Sequence, residues 1–323
     1  MSRQQWLGIA SLRMAILTLV PKSCVIRRLG GLAAWDLCRV PLAEEYERTF
    51  LCKDRQTNAM FRQFGWPGAE GVSEVSPSCC FGYCGACARD HALPEGRARD
   101  HAESLMREFE AIQRLDYLSP PQDADPRLGF DHLFPGERGH MFGVLECQDN
   151  EGREVILRAF SSLHEGVRDV DGWVPPILSP ETYREILLPG QVRIKDLSAL
   201  MRNLDSSSLE YSDLFGQRRK LSQDLMEEIQ SLYWFHNFRG EKRSLKEAYL
   251  FPDSIPGGVG ECCAPKLLNH AARSGLRPMS IAEFYWGAPS PSGKLKAGEF
   301  YPCCETRCRP ILGFMLCGAD VVC

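Results

Sequence analysis

The chain has 323 residues, 44% hydrophobic and 25% charged, which excludes wholesale disorder and leaves room for two ordinary domains. Its net charge of −4 is unevenly spread: residues 1–35 hold Arg3, Arg13, Lys22, Arg27 and Arg28 but no acid, so the rest is distinctly acidic. That balance argues against a general electrostatic grip on nucleic acid, and no uncharged apolar run reaches the ~18 residues of a membrane-spanning helix.

Residues 1–37 are basic and moderately apolar, and Arg13 interrupts the apolar run from Leu7 to Val20. A secretory signal needs that run unbroken; an organelle leader, a basic amphipathic helix, tolerates the arginine. The segment is read as a targeting leader for mitochondrion or plastid, or else as an ordinary terminal helix of a cytoplasmic protein. Fifteen cysteines, grouped at short spacings in a chain long enough to bury a core, look more like metal ligands in a reducing compartment than a disulfide framework.

Residues 38–118 are expected to be a helical, cysteine-containing region. Leu105, Met106, Phe109, Ile112 and Leu115 recur at helical spacing. Prolines and glycines over 119–139 predict a loop and a possible domain boundary. Residues 130–190 form a β-hairpin unit: Met141 to Cys147 and Val155 to Phe160 flank a polar turn containing Asn150 and Gly152. Residues 191–235 predict a helical hairpin, broken at Asp205 to Ser208 between a stripe of Leu197, Leu200, Met201 and Leu204 and a stripe of Leu221, Leu225, Ile229 and Leu232.

Residues 255–318 form a cysteine-rich α/β block. A glycine-rich turn, Gly257 to Gly260, delivers Cys262 and Cys263 to a helix that runs to about Ser274 and is stopped by Gly275. The strand Pro278 to Trp286 puts Glu283 on a face with Met279, Ile281 and Tyr285. Cys303, Cys304 and Cys308 then precede a second helix near Ile311. Cysteine pairs at helix starts suit a zinc site, because thiolates are the ligands and a helix N-terminus favours the thiolate. Cys79, Cys80, Cys84 and Cys87 make a second, weaker cluster. The fold class is α+β: an N-terminal helical and β-hairpin region, a helical hairpin, and a C-terminal block in three layers.

The order helix, strand, cysteine-bearing helix resembles the zinc-dependent nucleotide and nucleic-acid deaminases, whose motif is His or Cys, any residue, Glu, and later Pro-Cys-x-x-Cys. Pro302-Cys303 matches, and Cys262 or Cys263 could be the first ligand. The glutamate does not match: two positions after Cys262 stands Ala264, and after Cys263, Pro265. The resemblance therefore implies a deaminase-like scaffold lacking its acid, unless Glu283 replaces it. His101-Ala102-Glu103 spells the motif's tripeptide, but it lies within an amphipathic helix and follows its cysteines, so it is read as helix surface.

The blocks at 139–163 and 172–177, with the stretch from Gly258 to Leu316, also resemble the long N-terminal region of certain RluA-type RNA pseudouridine synthases. That resemblance implies cysteine ligands at Cys262, Cys304 and Cys308, with Cys263 and Cys303 as alternates, and an RNA or RNA-modifying protein as partner. The synthases' His-Arg-Leu-Asp motif is missing; the nearest string is Gln113-Arg114-Leu115-Asp116. The expected function is thus a non-catalytic, zinc-binding module in RNA modification or recognition. The alternatives are an active zinc hydrolase of deaminase type, using Glu283 or another unassigned acid, and a structural or protein-interaction unit.

Overall fold

The computed structural model describes residues 80–134 and 139–319, all within one compact unit. The expected leader, residues 38–79 and Cys79 lie outside the described residues.

The first described element is a hairpin, β1 (Cys80–Cys84) against β2 (Arg89–Leu93), with Gly82 opposite His91. A strand pair therefore stands where a helical region was expected. Helix α1 (Ala98–Ile112) follows, and its stripe of Ala98, Ala102, Leu105, Met106 and Phe109 is buried. Its start is tied to the sheet: the Ala98 N–H donates to Ser280 Oγ (2.9 Å), and that hydroxyl donates to Glu146 Oε2 (2.6 Å).

The main sheet has three antiparallel strands, β3 (His140–Gln148), β4 (Glu154–Phe160) and β7 (Arg277–Trp286), in the order β4-β3-β7. The hairpin unit and the cysteine-rich block thus share one sheet. Alternation along β3 and β7 separates two cores, as period two requires. Phe142, Val144, Ala282, Phe284 and Trp286 face α1; Leu145, Cys147 and Ile281 face the opposite layer. Phe130 and Leu133, from the stretch read as a domain boundary, are wholly buried in the α1-side core. The prolines and glycines there shape a packed connection, not a linker, because its aromatic and aliphatic side chains have a core to enter.

A helical stretch (Pro180–Thr182, then a π-turn over Tyr183–Leu187) leads into α2 (Leu188–Met201), which with α3 (Leu209–Leu232) makes the helical hairpin. Leu197 and Met201 are buried, but Leu200 faces solvent. A two-stranded ribbon, β5 (Trp234–His236) and β6 (Lys242–Ser244), and the single turn α4 (Leu245–Ala248) follow. The second outer layer is α5 (Cys263–Arg273) and α6 (Arg309–Met315). α5 ends at Gly275, whose φ of 68° suits a residue without a Cβ. The layering, helix over sheet over helices, puts the beginning of α5 beside β7, with α6 packed against α5 and β1. No helix among the described residues is long and apolar enough to cross a membrane.

Candidate metal centre

Cys262 and Cys308 cap α5 and α6 at their N-termini, and Cys304 lies one helical turn before Cys308. Their three Sγ atoms lie within 4.8 Å of one another, close enough to share a metal ion. The Cys304-x3-Cys308 spacing works because the chain turns there: the N–H groups of Cys308 and Arg309 both donate to the Cys304 carbonyl (3.3 and 3.1 Å). The Cys304 and Cys308 sulfurs are 3.3 Å apart.

Each arm has an anchor. Glu261, next to Cys262, accepts hydrogen bonds from Arg168 (2.5 Å) and from the Tyr233 hydroxyl, while its carbonyl accepts from the Ser162 N–H (2.8 Å). On the other side, residues 298–301 run along β7: the Tyr301 N–H donates to the Glu283 carbonyl at 2.9 Å and the Gly298 N–H to the Tyr285 carbonyl at 2.8 Å. That pairing carries Pro302 to Cys304 toward the centre.

Glu283 stands on β7 behind the thiols. Its side chain is almost fully buried, and its Oε1 accepts a hydrogen bond from the Ala264 N–H at 3.0 Å. It is not one of the clustered ligand atoms. Its register partner on β3 is Gly143, which makes room for the start of α5: a Cβ there would lie 2.7 Å from the Cys263 Cβ but at ordinary contact, 3.5 Å, from the Glu283 Cγ. Burial, reinforced by the charge of Cys304, raises the Glu283 carboxyl to about 7. Hydrogen bonds from Cys262 and then Cys308 hold the Cys304 thiol well below its ordinary value, and the other two thiols are pushed up. Cys304 is the most solvent-open of the three.

The alternates go elsewhere. Cys263 is buried and donates to the Met141 carbonyl (3.3 Å); Cys303 is buried with its sulfur 3.9 Å from the Phe81 carbonyl. The second cluster is reshaped. Cys80 enters the core, and Cys84 and Cys87 instead join His91 and Cys317, again with all ligand atoms within 4.8 Å. Sequence spacing pointed to Cys84 and Cys87, but nothing local marks Cys317, 230 positions beyond Cys87.

The remaining motifs are structural. Glu103 pairs with Arg99 on the surface of α1, and His101 sits 3.8 Å from Glu154. Asp116, the nearest match to a synthase aspartate, is buried; Arg114 binds both its oxygens and the Asp125 N–H donates to it at 3.1 Å. No protein-family model, curated protein or solved structure matches this chain.

Proposed function

We propose that this chain is a zinc-dependent hydrolase of deaminase type, acting on an amino-bearing base of a nucleotide or nucleic acid. Cys262, Cys304 and Cys308 would hold the metal and Glu283 would move the protons. The observation that carries the reading is the hydrogen bond from the Ala264 N–H to the Glu283 carboxylate. Position 264 is where the deaminase motif carries its own glutamate, two residues after the first ligand. The strand carboxylate reaches the backbone of that same position, so the missing acid is supplied from β7 instead of from α5.

Three thiolates fit zinc and leave one tetrahedral position open, the arrangement of a catalytic site. Zinc bound there would supply a Lewis-acidic position for activating water. Glu283 is close to the thiols without being a ligand, the placement of a carboxyl that accepts a proton and returns it. It takes a proton from the attacking water and delivers it to the leaving nitrogen as the C–O bond forms and the C–N bond breaks, releasing ammonia. The Ala264 N–H steadies the carboxylate between the two transfers. The engaged state of Asp116 supports no uridine isomerisation by this chain.

The non-catalytic RNA-modification module is the second reading, supported by the synthase-like blocks and by the departure from the motif glutamate on α5. Incubating the zinc-loaded protein with nucleosides, single-stranded RNA and single-stranded DNA separates the two. The enzyme reading expects a product about one dalton heavier, made by wild type and lost in Glu283→Gln. RNA bound and returned unchanged by the metal-loaded chain would favour the module.

A further inference from the structure

The other cysteine cluster has a different character. Cys84 ends β1, Cys87 lies in the turn that follows, His91 is on β2, and Cys317 lies just past the end of α6. The Cys87 and Cys317 sulfurs are 3.5 Å apart, and all four ligand atoms lie within 4.8 Å of one another. From the geometry we propose that Cys84, Cys87, His91 and Cys317 form a second zinc site, structural in kind, that clamps the β1–β2 hairpin to the C-terminal end of α6. This proposal is independent of the catalytic reading of the first centre.

The donor set argues for zinc over a disulfide. Three thiolates and one imidazole complete a tetrahedron with no position left for water, which is the pattern of structural zinc. A disulfide between Cys87 and Cys317 would leave Cys84 and His91 without a reason to converge on the same point. Metal binding releases the three thiol protons to solvent, so affinity weakens as the pH is lowered. The resulting complex carries excess negative charge, and a cation stands ready to offset it: the Arg239 guanidinium lies 3.4 Å from the Cys87 sulfur. The loop that carries Arg239 is itself fixed to the site, since the Phe238 N–H donates to the Cys317 carbonyl at 3.0 Å.

The backbone around the site is built for close approach. A Cβ on Gly82 would lie 2.4 Å from the Gly313 nitrogen, and one on Gly313 would lie 1.9 Å from the Tyr83 carbonyl oxygen. β1 and α6 therefore touch backbone to backbone, glycine against glycine. Buried side chains flank the crossing, Cys80 and Phe81 on β1 and Ile311, Leu312 and Met315 on α6, and a metal at Cys84 and Cys317 would tie the same two elements beyond it. Ala88, in the turn between Cys87 and His91, adopts a φ of 51°, which a non-glycine residue holds only when its surroundings impose it.

The position of α6 gives the site a consequence. The helix has seven residues, with Cys308 capping one end and Cys317 just beyond the other. The clamp thus fixes the helix that presents Cys304 and Cys308 to the first centre. Releasing the clamp should loosen that centre without touching any of its ligands.

Elemental analysis of the full chain, purified under reducing conditions, tests the proposal. Wild type is expected to hold two zinc ions. Cys84→Ser plus Cys87→Ser should hold one, His91→Ala should lose the second ion on mild chelation, and His91→Cys should keep both because thiolate replaces imidazole. A single zinc in wild type that survives Cys304→Ser plus Cys308→Ser would uphold this site and sink the catalytic one. A single zinc abolished by that pair of changes would overturn the clamp, as would two zinc ions in the Cys84 and Cys87 variant or a native Cys87–Cys317 disulfide. His91→Cys keeps the test decisive even if the serine variants fail to fold.

Discussion

The two cysteine clusters lie at opposite ends of one short helix, and they differ in what completes them. Beyond the last turn of α6, three sulfurs meet an imidazole on β2. At its start, three sulfurs meet no fourth ligand among the described residues, and a buried carboxyl stands nearby on a backbone N–H. The first arrangement saturates a tetrahedral metal; the second leaves one position for chemistry and supplies a group to manage protons. Under the proposed function, the same residue type at the same density would give stability in one place and reactivity in the other, with the fourth partner deciding which.

The largest expected effect comes from removing that partner at the open centre. Glu283→Gln should cut turnover by about 10² to 10⁴-fold, as loss of a general acid–base group does, while zinc content stays at the wild-type level. Loss of zinc together with turnover would mean that Glu283 is a ligand, and the contrast between the centres would collapse.

The same carboxyl predicts a pH dependence. Its folded value of about 7 lies above the ordinary 4.5, so the folded state holds the proton more tightly than the unfolded one. Its contribution is full below 4.5 and is lost as pH rises through 7, which amounts to roughly 3 kcal/mol. Chelated wild type should therefore lose stability relative to chelated Glu283→Gln across that window, read from denaturant midpoints. Parallel curves would place the carboxyl in water.

At the closed centre, Gly313→Ala should cost about 1 to 3 kcal/mol, the usual range for overpacking, because the new methyl meets the Tyr83 backbone and not a flexible side chain. It should also release one zinc ahead of the other during chelator titration. Leu200→Ala on α2 is the control: the side chain is 58% exposed, so stability should move by less than about 0.5 kcal/mol and both metals should stay. A larger change would tie the helical hairpin to the metal centres.

Much of this architecture is legible in the sequence where the signal is local. Alternation marks β3, β4 and β7, and Gly275 marks the end of α5. Charged faces around two leucine stripes mark the helical hairpin, with its break at Asp205 to Ser208. What escapes local reading is long-range. β2 is mostly charged and polar, and β1 is short and interrupted by Gly82, so neither shows a strand pattern and both gain their place from α6 and from one another. Cys317 carries no spacing that links it to Cys84, whereas His91 completes a local Cys84-x2-Cys87-x3-His91 run that the cysteine pattern alone does not show. Glu283 is visible on its strand face, but its meeting with Ala264 depends on the packing of α5 against β7, which Gly143 hints at: a glycine within the apolar middle of β3.

X-ray absorption at the zinc edge, on variants that retain one centre each, tests the contrast most directly. With Cys84 and Cys87 changed to serine, the remaining metal should show three sulfurs at about 2.3 Å and one light ligand that is not imidazole. With Cys304 and Cys308 changed instead, it should show three sulfurs and one imidazole nitrogen at about 2.0 Å. Four protein ligands at the first centre, whether a fourth sulfur or the Glu283 carboxylate, would close it and contradict the account.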